Sequence, residues 1–576
     1  MVTGCLALLA GVQVLAAQTA SGDALDRAMR DELKRSMEQL RLEHSDRPYF
    51  IAYRVADQHI LVSIAHFGSL STSDDVRRRV LIVELRIGDY SFDNTGSRDM
   101  PSMMTVMSRG SFAWVELPLD DDYGVMRRQI WLATDEAYKH AIEAMAAKRA
   151  ARAAEQRSDS LPDFLKMSPT RTVDEDVLHP VGLPALQSLV RDLSGIQELK
   201  RLQTSYASAR LTETHERYLT SEGTTFSRAR SLLSVDLGAS TQASDGSPIE
   251  AMSTVLSATY DSSSQRAALL SRMRTLALEV DSLRAAPVMD RYTGPVLFLG
   301  TAAAQLVSTV LSPVFTGSRR MAQGNDSDKL GTRVLPAWVS VSDNPTLATY
   351  DGQTVLGHYK VDDEGVTGRE TPVVVAGYLR TLLTTRTPVE GVDSSTGNAR
   401  GFGAAPSTLI VKADSGLSDA ELRNRFLSML RSRKLPFGIV VRELAGGAQS
   451  FMQLMMSGDV QGLISREFGR GGASSIPVVA AFRVYPDGHE ERLRQGRLAN
   501  FSVDSFRNLV AASSSRTVYH SSADGRMLSM MAMSEIEGGP SPSSFVVPSL
   551  LFDDVAVSKQ DVERTTLPLS DPPPGS

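Results

Sequence analysis

VLFLGTAAAQLVSTVLSPV, residues 296–314, follows the turn-like run Tyr292-Thr293-Gly294-Pro295 near the middle of a 576-residue chain. Ala302, Ala303, Leu306, Val307 and Val310 recur at helical spacing, which predicts a short helix with a broad apolar face. No side chain in this stretch ionises. From Tyr292 to Arg320 there is no His, Cys, Asp or Glu at all. Why a helix marked so clearly carries no chemistry is the question that organises the rest of the chain.

The stretch lies just past a change of texture at Pro287. Before it, Leu25, Met29, Leu33, Met37 and Leu40 share one face of an amphipathic helix within residues 23–44. Extended segments at 50–56, 59–67 and 78–88, rich in Val, Ile and Leu, predict an antiparallel sheet under that helix. The alanine-rich run 135–157 has no Gly or Pro and reads as a solvated helix. Strands return across 217–240 with a turn at Glu222-Gly223, and a helix over 262–286 turns Leu269, Met273, Leu276 and Leu283 inward.

Beyond Pro287, short apolar strands alternate with Gly, Pro and Asp turns. Hairpins are predicted at 371–386, turning at Ala376-Gly377, and at 477–498, turning at Pro486-Asp487-Gly488. One helix over 417–435 interrupts them, with Ser418 and Glu421 in capping-box spacing. The expected class is α+β, with an N-terminal α/β domain at 18–287 and a mainly antiparallel β domain at 288–560. A disordered tail is expected at 561–576, where TTLPLSDPPPGS has nothing to bury.

Composition narrows the function classes. With 42% hydrophobic and 22% charged residues the chain is an ordinary globular one, long enough for two or three cores. A net charge of -6 and the lack of any Lys/Arg run with interleaved aromatics argue against nucleic acid as partner. The apolar run Leu6–Ala17 has the length of a signal-peptide core and ends in small residues, so residues 1–17 read as an export signal, although no Lys or Arg precedes the run. A buried helix is the other reading of that run. Cys5, the only cysteine, falls within the presumed signal 1–17, leaving the exported chain without disulfides or thiolate ligands. No later segment is apolar enough to cross a bilayer, so a periplasmic or secreted location is expected.

Sites with obvious chemistry are few. There is no G-x-S-x-G elbow, phosphate loop or S-x-x-K arrangement in a convincing context, and Gly469-Arg470-Gly471-Gly472 lacks the lysine a phosphate loop needs. Nine scattered histidines include no pair at chelating helical spacing, and the odd separation of His59 and His66 puts them on opposite strand faces. Asp362-Asp363-Glu364-Gly365 reads as a charged turn with Gly365 at positive φ rather than a cation loop, which spaces its ligands out. Met527, Met530, Met531 and Met533 match a soft-metal pattern but read more simply as adaptable packing.

Five segments carry a resemblance. LGTRVLPAWVSVSDNPTL (330–347), YKVDDEGVTGRETPVVVAGYLRTLLTTRTP (359–388), STGNARG (395–401), GIVVRELAGG (438–447) and SFVVPSLLFDDVAVS (544–558) occur in the order seen in the TldD/PmbA family, also called modulator of DNA gyrase proteins. Across about 205–555 the chain resembles that family, and its PmbA/TldE branch most. The resemblance implies a role in a metallopeptidase acting on peptides or unfolded polypeptide as a TldD-with-TldE pair. In the TldD branch an H-E-x-x-x-H helix and a C-terminal cysteine hold zinc, which makes a bound water acidic enough to attack a peptide bond.

Laid on this sequence, the histidine positions of that motif fall on Phe298 and Ala303 and the glutamate position on Leu299. The resemblance therefore implies a TldE-like subunit with no catalytic residue and no metal of its own, its zinc belonging to a TldD-like partner. Two alternatives stand beside it: a peptidase with a remodelled site recruiting His358, His489 or His520, and a stand-alone peptide-binding protein. Strands near 371–386 offer edges to which an extended peptide could add.

Overall fold

The computed structural model describes residues 24–95, 112–154, 161–175, 181–317, 329–401, 403–445, 474–522 and 541–560. The architecture is α+β, built among the described residues on two large sheets with two further two-stranded ones.

Helix α1 (residues 24–39) leads into a hairpin of two long strands, β1 (Pro48–His66) and β2 (Ser69–Ile87). The segments read separately as 50–56 and 59–67 are thus one 19-residue strand. Strand β3 (Phe112–Leu117), helix α2 (Tyr123–Ala154), β4 (Arg171–Glu175), α3 (Leu183–Ser194), β5 (Thr204–Thr220), β6 (Thr225–Gln242), β7 (Pro248–Ser257) and α4 (Gln265–Leu283) follow. The sheet order is β3-β2-β1-β5-β6-β4, with β7 also on β6. Every pairing is antiparallel except β4 with β6.

Residues of one parity on these strands are apolar and lie under the helices. Val55, Leu81 and Val83 pack with Met29 of α1 and Ile130 of α2, while Leu211, Leu233 and Val235 pack with Leu189 of α3 and Met273 of α4. The expected solvated helix is a correction. It begins at Tyr123, and Met126, Ile130, Ala137, Ala141 and Met145 form a buried stripe that anchors it to the sheet. The other parity is polar: Arg54 and Gln58 on β1, Glu216 and Thr214 on β5, Arg228 and Arg230 on β6.

The second sheet begins with β8 (Tyr292–Phe298), followed by helix α5 (Gly300–Leu306), a π turn (Val307–Leu311) and a 3₁₀ turn (Ser312–Phe315). Two expectations change here. Tyr292 to Pro295 form strand rather than turn, and the helix starts at Gly300 rather than Val296. The remaining strands used below are β9 (Val339–Asp343), β10 (Thr371–Val375), β11 (Tyr378–Leu379), β12 (Thr408–Ala413), β13 (Gly438–Leu444), β14 (Ser474–Val484), β15 (Glu490–Leu493), β16 (Gly496–Phe501), β17 (Leu509–Ser521) and β18 (Ser543–Lys559), with helix α6 (Asp419–Ser432) between β12 and β13.

The strand order β11-β10-β9-β12-β18-β16-β14-β13-β8 bends back on itself, because β8 also pairs with β18. Five strands, β18, β16, β14, β13 and β8, therefore close into a ring. Local chemistry fixes several connections as expected. Ala376 (φ 48°) and Gly377 (φ 80°) make the β10–β11 turn, Gly488 (φ 95°) the β14–β15 turn and Gly223 (φ 96°) the β5–β6 turn. Ser418 and Glu421 form the complete capping box of α6.

Among the described residues no helix is long and apolar enough to cross a membrane. The proposed signal, Cys5, His179, the 469–472 glycines, the 527–533 methionines and the tail lie outside the described residues.

Candidate functional site

Strand β8 runs between β13 on one side, Phe298 beside Val441, and β18 on the other, Phe298 beside Leu550. The alternation of the strand turns the Phe298 ring into the closed ring, where it is fully buried. It meets Phe552 at 5.5 Å and Phe501 at 6.2 Å in edge-to-face contacts, and Phe506 completes the group at 5.4 Å from Phe552. Leu299 faces the other way, partly buried against Leu297, Leu422 and Phe426 beneath α6. Its amide donates to the Val441 carbonyl at 2.9 Å. Ala303, one turn into α5, is fully enclosed.

The junction between Phe298 and Ala303 is tight. The Gly300 amide donates to Ser549 Oγ at 3.1 Å, and a Cβ at Gly300 would approach Thr517 Oγ1 to 2.7 Å. Gln305 is buried and accepts from the Leu444 amide at 2.8 Å. Burial pushes the pKa of the Tyr519 hydroxyl up to about 12. Phenyl, isobutyl and methyl groups present no lone pair to a cation. The residues at the three motif positions do not fit a zinc ion.

Two of the three histidines of the remodelled-site alternative, His489 and His520, serve elsewhere. His489 stacks on Tyr485 at 5.8 Å in the β14–β15 turn. His520 on β17 bonds through Nδ1 to Ser544 Oγ at 3.0 Å, and burial pulls its pKa down to about 4. Ser544 Oγ already accepts from the Leu356 and Gly357 amides at 2.8 and 3.2 Å, so its proton points to the imidazole. His59 lies between Asp75 at 2.8 Å and Glu213 at 3.3 Å. Among the described residues no group of three or more His, Cys, Asp or Glu side chains is placed to hold a metal ion. The β10–β11 edge is also taken, since Leu379 donates to the Thr332 carbonyl and Gly377 accepts from Val334.

What sequence reasoning missed is a charge cluster between the two sheets. Asp363 is almost fully buried and accepts from Arg228 at 2.7 Å and from the Gly401 amide at 2.6 Å, with Arg54 3.6 Å away. Arg54 and Arg228 both pair with Glu216. The neighbouring guanidiniums hold the Asp363 carboxyl well below the usual range against the opposing effect of burial, whereas burial, with Glu364 and Asp363 alongside, pushes Asp362 up to about 8. Arg386 adds a second link, pairing with Glu222 at 2.8 Å and lying 4.0 Å over the Phe164 ring. The 362–365 turn has Gly365 at φ 78°, as expected, but it is a buried joint. A signal was available: Phe226, Arg228 and Arg230 alternate, which puts two arginines on one strand face.

Residues 291–478 match the PmbA/TldA metallopeptidase C-terminal domain. Over that third of its length the chain is similar to the PmbA/TldD family. A metalloprotease of Methanocaldococcus jannaschii is 41% identical over 83 residues, 14% of this chain and 17% of that protein. A metalloprotease PmbA homolog of Haemophilus influenzae is 33% identical over 109 residues, 19% of this chain and 23% of its own length. The aligned segments thus span under a quarter of these curated relatives.

Solved structures extend the likeness of fold over most of the chain. TldE from Thermococcus kodakarensis superposes with a TM-score of 0.55 at 13% identity, covering 92% of this chain and all of that one. A modulator of a DNA gyrase from Thermotoga maritima gives 0.56 at 14% identity, covering 88% and 96%. A PmbA/TldD-type α+β fold therefore includes the first sheet as well as the matched domain.

Proposed function

We propose that this chain is a non-catalytic, TldE-like subunit of the PmbA/TldD family, exported to the periplasm or secreted, which pairs with a zinc-bearing TldD-like metallopeptidase to degrade peptides. The observation that carries the proposal is the packing of Phe298. The position laid against the first histidine of the zinc motif is committed to a cluster of four phenylalanines, and Leu299 and Ala303 are likewise apolar and packed. The apolar run Leu6–Ala17 supports export, and the TldE fold neighbour supports the branch. Zinc and its water would belong to the partner, while this chain would shape the complex.

The test is reconstitution. The purified chain alone is expected to hold no stoichiometric zinc and to cleave no unstructured peptide. Mixed with a chain bearing H-E-x-x-x-H, it is expected to co-elute and to support chelator-sensitive cleavage. Zinc at one equivalent in the lone chain, with hydrolysis that a chelator stops, would replace this proposal with the remodelled-site reading.

A further inference from the structure

At the joint with the 362–365 turn, guanidiniums gather on the polar face of the first sheet. Around Asp363 and Glu216 stand four guanidiniums, Arg54, Arg228, Arg230 and Arg400. Arg54 and Arg228 take up both carboxylates. Arg400 is buried and donates only to the Pro406 and Pro542 carbonyls, at 3.2 and 2.7 Å, with its guanidinium over the Tyr359 ring. Among the described residues Arg230 has no ion pair, and its Nη2, closed off from solvent, has no hydrogen-bond partner. Burial, with Arg228 and Arg400 close by, pulls its pKa down to about 10, still leaving it charged at neutral pH. Arg230 is half-buried, and a guanidinium partly withdrawn from water is costly unless something anionic meets its shielded side.

A second donor points to the same place. Gln58 on β1 is 97% buried, its Oε1 is taken by Arg78 at 2.6 Å, and its Nε2 has no partner. In the strand register Gln58 is opposite Thr214, and Thr214 is opposite Arg230. Two shielded donors without acceptors therefore flank Thr214 in one row, on strands about 10 Å apart.

From this geometry we infer that the row Gln58–Thr214–Arg230 is a binding site for a carboxylate, supplied by the free C-terminus of a peptide. The guanidinium supplies charge and a fork of donors, and the Gln58 amide supplies a neutral donor to the second oxygen. The peptide source rests on the peptide-degrading reading above. The oxyanion site does not, since it is measured in the isolated chain without any partner.

Calorimetric titration of the full chain with an N-acetylated tripeptide acid, its C-terminal amide and inorganic phosphate, at constant ionic strength, tests the assignment. The acid is expected to bind and the amide to bind about tenfold more weakly or not at all. R230M is expected to abolish binding and Q58L to weaken it. T214E, which tethers a carboxylate beside Arg230, is expected to block binding and raise Tm. It decides the matter should R230M not fold. Binding of phosphate alone overturns the carboxylate assignment; no oxyanion binding, or binding retained in both R230M and T214E, overturns the site.

Discussion

The Arg228 guanidinium and the Asp363 carboxylate, 2.7 Å apart, join β6 of the first sheet to the 362–365 turn of the second, and both side chains are almost wholly buried. Removing one charge strands the other. D363N is therefore expected to lower unfolding free energy by about 3–5 kcal/mol in urea titrations at pH 7. Asp363 has a depressed folded pKa, so its contribution is present above the unfolded value near 4 and disappears as pH falls through the folded one. The gap between wild type and D363N should narrow in acid. A gap that stays constant down to pH 2 would show that the carboxylate charge is not what matters.

Phe298 tests the packing account. Truncation to Ala opens a cavity inside a closed ring whose other walls are Phe501, Phe506 and Phe552. F298A should cost about 3–5 kcal/mol, measured by chemical unfolding. A loss below about 1 kcal/mol would mean that the ring is loosely filled.

His520 gives a pH dependence of its own. Its folded pKa is lowered to about 4 from an unfolded value near 6.5, so its neutral form is favoured by folding. The stability it contributes is complete above pH 6.5 and is lost as pH falls from there toward 4. H520N keeps an acceptor for Ser544 and removes the titration. The wild-type protein should lose on the order of 1–3 kcal/mol more than H520N between pH 7 and 4. Parallel pH profiles would exclude this.

The capping box of α6 is exposed and local, so its effect should be modest. S418A is expected to cost about 1 kcal/mol and to leave the urea m-value unchanged. A cost above about 3 kcal/mol would imply a role beyond the cap.

Where the chain's conformation is set by neighbours in sequence, it was legible. The Ser418/Glu421 cap, the Ala376-Gly377 turn and the Gly488 turn depend on two to four adjacent residues, and each occurs where its chemistry placed it. β8 was misread because Gly294-Pro295 looks like a turn. In the structure Gly294 pairs with Val555 and Val296 with Phe552, with a register irregularity opposite Pro295, so a missing N–H does no harm there. The strand's status depends on β13 and β18, which are remote in sequence. The six positions compared with the zinc motif consequently cross from strand to helix, a boundary that helical periodicity alone does not reveal.

The charge cluster shows the same limit from another side. The alternating arginines of β6 were visible, but Asp363, read as part of a surface turn, meets them only through tertiary contact. The Gln58–Thr214–Arg230 row exists only once three strands are in register.

The pairing of β8 with β18 also sets an order of events. Leu297 lies beside Leu551, so the earliest strand of this half acquires one of its two neighbours only after residues 543–559 have been made. Until then the phenylalanine interior stays uncapped and attractive to chaperones or proteases. Translation arrested before β18 should yield a nascent polypeptide whose first half resists digestion while everything beyond residue 292 is degraded.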